Sequence, residues 1–383
     1  MVAYSEIVAD PRILQEARAL AAAGWEVDII GVRPRRPVRP GPPSLRLHFV
    51  PLEIRRGGKL RYLYQYLLFL LESTALLLAL HVRRRFSVVH IHSLPDFQVA
   101  CALPLRLLGA HVVLDLHESM PEIVAARFRL RRDSPWVRAA VAAERMSCRL
   151  ADRVIASNPA IGQLAIARGA DAARVEVVYS IGSASPPSDP ETVRRKFALR
   201  GSSFIVHAGG INPERDLETL IAATAIVSRA VPVRLVVAGS GDAGYIEELK
   251  RTCRALGVAD SVDFLGHVPI EEAQALVALA KVGVVTLQAN PLTEVALPNR
   301  VLEFARLGKP LVLPDLPLLR RLFDGGAYFY APGNPEDLAA RIREAWSDDG
   351  ARAIAASANR VAGSISGPGM ERRLAGVYAG LGA

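Results

Sequence analysis

The sequence predicts an α/β protein of two doubly wound parallel sheets, and three observations carry that expectation. Short β-branched runs alternate with helix-period segments along the chain, the pattern of βαβ units. The runs fall into two sets, "EVDIIG", "LRLHFVP", "SVVHIH", "HVVLDLH", "RVIAS" and "VEVVYS", then "SFIVHAG", "RLVVAG", "VDFLG", "VGVVTL", "PLVLP" and "AYFYA". Between the sets lies "SIGSASPPSDPET" (residues 180–192), rich in Ser and Pro, which reads as an interdomain linker. A further strand is expected at the start with Met1 inside it, as though residues preceded it. A chain of 383 residues suffices for two domains that each bury a core. The expected domains are residues 1–182 and 183–362. A helix at about 363–383, broken at "SGPG", is expected to return to the first.

Composition narrows the class. Hydrophobic residues make up 51% of the chain and charged ones 22%, which describes a folded protein. The net charge of +9 resides in residues 1–180, which hold 25 Lys and Arg against 16 Asp and Glu; the remainder holds 22 of each sign. A basic half beside a neutral half fits contact with lipid headgroups, a phosphorylated carrier or nucleic acid, and fits an Arg-rich coding bias equally. No nucleic-acid partner is expected, because interleaved surface aromatics and known modules are missing. Cys101, Cys148 and Cys253 form no metal or redox motif and read as reduced cytosolic core residues. The opening "MVAYSEIVADPR" is too acidic for a signal peptide. In "LRYLYQYLLFLLESTALLLAL" (residues 60–80) no apolar run exceeds six residues, far short of the ~18 a membrane span needs. Arg61, Gln65 and Glu72 share one helical stripe there, so a mostly buried or interfacial helix is expected.

Ligands of open parallel sheets bind beyond the carboxyl ends of the strands. "FIVHAGGINPERDLETLIAA" passes from strand to Gly-Gly turn to helix. Gly209 and Gly210 would let backbone approach a phosphate, with Arg215 near the helix start; an ordinary tight turn accounts for the glycines as well. In "LPNRVLEFARLGKPLV", Asn299 is placed to cap a helix and Gly308 to end it, leaving Arg300 in the first turn. An Arg there opposes the helix macrodipole, and Glu303 lies on the same face. A pyrophosphate at Arg300 with a ribose diol at Glu303 satisfies both residues, as does a surface ion pair. "VVLDLHESMPE" ends a strand with Asp115, His117 and Glu118, and "HIHSLPDF" ends another with His90, His92 and Asp96. The H-x-H spacing invites a metal, but no third ligand of convincing spacing follows. No Asp-x-Asp signature or Gly-Lys-Ser/Thr P-loop occurs either, so no metal is expected.

The segment "LPNRVLEFARLGKPLVLPD" resembles the PNK-hydrophobic-hydrophobic-EY…G.P stretch of the group-1 family of retaining glycosyltransferases with the GT-B fold. "HAGGINPERDLETLIAA", "VVAGSGD" and "VDFLGHVPIEEA" follow that family's order and spacing. In the first half "DPRILQEARALAAAGWEV", "LYQYLLFLLE" and "VVHIHSLPDFQVACALPLRLLGAHVVLDLHESMPE" resemble it too. The resemblance implies two Rossmann-like domains facing a cleft. It also implies metal-independent, cofactor-free transfer of a sugar, with retention, from a nucleoside-diphosphate sugar to a hydroxyl.

Residue by residue, it implies that Arg215 and Arg300, with Gly209 and Gly210, hold the donor diphosphate. Glu303, with Glu294 and Asn299, meets the donor ribose or sugar, and Gly266, His267 and Val268 lie beside the base. His117, with Glu118, lies near the donor sugar and the reacting bond. Two places depart from the family pattern. Val295 stands where the family's paired-glutamate motif has its first Glu, with Glu294 one residue off. The first loop, "SEIVADPR", lacks the usual Gly pair; Arg12 and Asp96 are the expected acceptor contacts. The basic half and the helix at residues 60–80 point to a lipid-linked or cell-envelope glycan precursor as acceptor, and to a cytoplasmic enzyme at an anionic inner membrane face in polysaccharide biosynthesis. A nucleotide-sugar epimerase and a catalytically silent scaffold are the alternatives.

Overall fold

The computed structural model describes residues 1–7, 10–34, 44–55, 57–179, 188–199, 203–347 and 350–382. Residues 180–187 of the expected linker lie outside them. The chain divides into two compact units, Met1–Ser183 with Ser366–Ala383, and Ala184–Ile365.

Unit 1 contains β1 (Val2–Ala3), β2 (Val27–Val32), β3 (Leu45–Val50), β4 (Val88–His92), β5 (His111–Leu116), β6 (Arg153–Ala156) and β7 (Val175–Val177). They form one parallel sheet in the order β3-β2-β1-β4-β5-β6-β7. Strand order reverses at β1, which pairs with β2 on one side and β4 on the other. β2 is buried along its whole length, as a strand covered on both faces must be. Helix α1 (Pro11–Ala22) follows β1, with Asp10 as N-cap and Pro at the first turn. Helix Ala351–Ser364 stops before Gly367, whose φ of 69° breaks the run, and helix Pro368–Ala379 belongs to unit 1. Its Tyr378 packs edge-on to Trp25 at 5.1 Å. The three cysteines are buried and free, and burial pushes the Cys101 and Cys148 thiols up to about 12, so they are inert.

Of the two expectations for helix α2 (Lys59–Arg84), mostly buried or interfacial, its exposure excludes the first. Only 22% of its most apolar window is buried. Its inward face is Gln65, Phe69, Ser73 and Leu77, one residue per turn. Gln65 faces inward because its amide pairs with the backbone N–H and C=O of Arg55 at 2.8 and 3.0 Å. The Ser73 hydroxyl accepts from Gln98 at 2.7 Å. The outward face carries Leu60, Leu63, Tyr64, Leu67, Leu71 and Val82, with Leu71 68% and Val82 81% exposed. Polar groups therefore face the protein and leucines face outward, the inverse of a soluble surface helix.

Unit 2 contains β8 (Phe204–Ala208), β9 (Arg234–Ala238), β10 (Val262–Gly266), β11 (Gly283–Val284), β12 (Leu311–Pro314) and β13 (Tyr328–Tyr330). Two parallel sheets, β10-β9-β8 and β11-β12-β13, are joined by a parallel bridge between Ile205 and Val282. The combined order repeats that of unit 1, and its switch point lies between β8 and β11. Alternate residues enter opposite cores: Phe204 and Val206 pack with Phe304 and Leu313, and Ile205 packs with Leu235, Val312 and Tyr330. β11 is shorter than its sequence run. At Gly283 a Cβ would meet the Phe304 ring at 2.5 Å, so Gly is required for that helix to pack on the strand.

Candidate active site

In unit 2 the expected donor residues converge at the switch point. β8 ends at Ala208 and runs into Gly209, Gly210 and the turn Pro213–Arg215, after which helix Leu217–Val227 begins. Loops after neighbouring strands interlock: Gly209 N–H donates to Ala238 O at 2.9 Å and Gly239 N–H to Gly266 O at 2.8 Å. A Cβ at Gly239 would lie 1.7 Å from the Gly209 carbonyl oxygen, so the second glycine motif exists for close backbone approach. Thr286 Oγ1 donates to the Arg215 carbonyl at 2.6 Å, which ties this turn to the segment after β11.

Arg300 reaches the same place from the start of helix Asn299–Arg306. Its Nε donates to Ala208 O at 3.0 Å and its Nη1 pairs with Glu303. A cavity of 180 Å³ is lined by His207, Gly209, Arg215, Thr286, Asn299 and Arg300, among others. That is below the about 300 Å³ at which sites for whole small ligands begin, and suits a diphosphate. Burial lowers the Arg300 pKa despite Glu303, and burial raises Glu303 despite Arg300 and Arg306. Each group is thus ionised in surroundings that resist it, and an anion placed at Arg300 relieves that penalty. Burial, then the charges of Arg215 and Arg300, push His207 down to about 4, so it is neutral at physiological pH.

One sequence expectation changes here. Asn299 is not the cap: Pro298 holds that position without a side-chain bond, and Asn299 is the first helical residue lining the cavity. Val268 is buried in the core, while Gly266 and the side chain of His267 are exposed. Glu294 ends the one-turn helix Pro291–Glu294, fixed by the Asn290–Thr293 capping box, and Val295 follows as its C-cap. His207 and Thr286 were not singled out from sequence. Their signal was a polar residue in the last two positions of an apolar strand run.

In unit 1, His117 sits just past β5. Its backbone N–H donates to Ser93 Oγ at 3.1 Å, and its C=O accepts from Ser157 Oγ at 2.6 Å. Its Nε2 lies 3.1 Å from Asp115 Oδ2 and 3.0 Å from His92 Nδ1. Asp115 is fully buried; burial would raise its pKa, but Arg12 and His117 outweigh that and hold it well below the carboxylate range. Glu118 is exposed beside His117.

The acceptor roles of Arg12 and Asp96 do not survive the geometry. Arg12 turns inward, with Nη2 at 2.9 Å from Asp115 Oδ1 and Nε at 2.9 Å from Glu16. This cation therefore neutralises an interior carboxylate. Asp96 is fully buried in the turn Asp96–Ala102, and burial followed by the charge of Glu144 drives its pKa well up. The fold also supplies what the H-x-H motif lacked in sequence, since Glu16 and Asp115 join His90 and His92 in one buried cluster. Glu16 was legible as an anomaly: it shares the buried face of α1 with Ile13, Ala17 and Leu20.

Residues 9–180 match the family described as glycosyl transferase 4-like domain, and residues 202–348 match glycosyl transferases group 1. An uncharacterized glycosyltransferase of Methanocaldococcus jannaschii is 32% identical over 153 residues, a match spanning 39% of this chain and 37% of that protein. Sucrose-phosphate synthase of Thermosynechococcus elongatus superposes with a TM-score of 0.78 at 18% identity, over 99% of this chain and 98% of that one. Anabaena HepE in complex with UDP superposes with a TM-score of 0.70 at 16% identity, over 99% and 98%. With two such units, each reversing strand order where these residues gather, the chain belongs to the group-1 glycosyltransferases and has the GT-B fold.

Proposed function

We propose that this enzyme transfers a sugar, with retention, from a nucleoside-diphosphate sugar to a hydroxyl of a lipid-linked or cell-envelope glycan precursor. The observation that carries the donor half is the 180 Å³ cavity that Arg215, Arg300, Gly209 and Asn299 share at the switch point of unit 2. As the glycosidic bond breaks, the leaving diphosphate gains negative charge and the sugar becomes oxocarbenium-like. Arg215, Arg300 and the N-termini of helices Leu217–Val227 and Asn299–Arg306 stabilise that charge with no metal required of them. Glu303 accepts from the ribose diol. His117, held by Asp115 and His92, acts on the donor sugar, and the departing phosphate takes the acceptor's proton.

The test is binding of UDP, GDP, ADP and dTDP without added metal, followed by turnover of the matching sugar nucleotide. Saturable, selective binding of one nucleotide, and a product that keeps the donor's anomeric configuration, are expected. Binding of none removes the donor assignment, and an altered free sugar formed without acceptor identifies an epimerase instead.

The acceptor half rests on the outward leucine face of α2 together with arginines beside it. The Arg127 guanidinium lies 4.7 Å over the Tyr62 ring near the start of α2, and Arg129, Arg131 and Arg132 follow it as exposed residues. Leucines entering the headgroup boundary beside arginines is the composition of a peripheral membrane face. Cosedimentation with vesicles containing anionic lipid is expected to weaken steeply with salt and to fall about fivefold for Arg132→Ala, since each such cation contributes about 1 kcal/mol. Failure to bind at any ionic strength assigns a soluble acceptor.

A further inference from the structure

We propose that Glu16, His90, His92 and Asp115 form a site in unit 1 for one divalent transition-metal cation, with Zn²⁺ as the reference ion. One ligand atom from each of the four lies within 4.8 Å of all the others, and all four residues are buried. His92 Nδ1 is 3.3 Å from Asp115 Oδ2 and 3.9 Å from Glu16 Oε2; His90 Nε2 is 3.7 and 4.0 Å from the same two oxygens. Tetrahedral Zn²⁺ with bonds of about 2.0–2.1 Å places its ligands about 3.4 Å apart, so modest side-chain shifts close the site. Two imidazoles with two carboxylates suit Zn²⁺ and its neighbours better than Ca²⁺ or Mg²⁺, which prefer oxygen.

Two independent observations separate this cluster from an ordinary buried ion-pair network. Glu16 Oε2 and His90 Nε2 are buried with no hydrogen-bond partner, although such groups are nearly always satisfied in a folded interior. The outer contacts are also those of ligands held from behind. Arg12 binds Asp115 at Oδ1 (2.9 Å) and Oδ2 (3.2 Å) and lies 2.9 Å from Glu16 Oε1, while Asp115 Oδ2 and Glu16 Oε2 are the oxygens nearer the imidazoles. Tyr378 Oη lies 2.7 Å from His90 Nδ1, which directs Nε2 toward the carboxylates. The cation would tie α1, β4 and β5 together; its ligand atoms His92 Nδ1 and Asp115 Oδ2 are the ones His117 Nε2 contacts at 3.0 and 3.1 Å, so the bound cation takes the place of those two contacts, an effect separate from diphosphate binding in unit 2.

The experiment takes the full chain, stripped with chelator and dialysed, and titrates it with Co²⁺ alone and Zn²⁺ alone, with no nucleotide present, so that its outcome is independent of the donor assignment. One equivalent of Co²⁺ with intense visible absorption, displaced by Zn²⁺ and accompanied by a rise in Tm, is expected. His92→Ala and Tyr378→Phe should each weaken binding at least about tenfold. Tyr378→Phe removes one hydroxyl and so tests the site where a ligand variant fails to fold. Folded wild type that takes up no stoichiometric Co²⁺ overturns the proposal and leaves a proton between Glu16 and Asp115 as the occupant. Uptake that neither variant changes overturns it as well, by placing the ion elsewhere.

Discussion

Arg300→Ala is expected to weaken nucleoside-diphosphate binding by about 10- to 100-fold, the worth of a charge-assisted hydrogen bond of about 1.5–3 kcal/mol. Turnover should fall further, by about 10²–10³, because the diphosphate carries more charge in the transition state than in the ground state. The substitution also leaves Glu303 without its ion-pair partner and Ala208 O without its donor. That confounds a single variant, since a half-buried carboxylate left unpaired destabilises by itself. The double variant Arg300→Ala/Glu303→Ala separates the two causes. If Arg300 holds phosphate, nucleotide affinity stays low in the double variant; if the pair is only structural, removing both partners restores it. Calorimetric titration of the three proteins decides between them.

His117→Ala is expected to lower kcat by about 10²-fold or more, in the range of a positioned catalytic group, with nucleoside-diphosphate affinity unchanged. Affinity should hold because the nucleotide residues belong to unit 2, whose core is its own. Stability should fall little, since Asp115 keeps Arg12 as its counterion when the imidazole is removed. His117→Gln serves as the control. It retains hydrogen-bonding reach but cannot match the imidazole's two ring nitrogens, so it should stay nearly as slow as alanine. Turnover equal to wild type in either variant removes His117 from the mechanism and leaves it a support for Ser93 and Ser157.

The unit 2 site was largely legible because its signals are local. Gly209, Gly210 and Arg215 lie within seven residues, and Arg300 and Glu303 are one helical turn apart, so strand-end position and helix spacing suffice to place them. Asn299 was misplaced by one residue because a Pro before a helix competes with Asn for the cap position, and the backbone at Pro298 takes it. In α2, the polar stripe was seen but its direction was not. In the stripe of Arg61, Gln65 and Glu72, Gln65 looks solvated until the backbone of Arg55 is found waiting for it.

By itself, the sequence determined two doubly wound sheets, the order of their elements and the residues that line the cavity at the unit 2 switch point, because periodicity, glycine turns and helix ends act over a few residues. Only the tertiary structure decided that Arg12 and Asp96 face inward, that α2 turns its leucines outward, and that Glu16, His90, His92, Asp115 and Tyr378 meet in one place. Those five residues come from α1, β4, β5 and the last helix, up to 362 positions apart in the chain. A carboxylate's partner is set by which strand ends the parallel order brings together, and no local spacing encodes that.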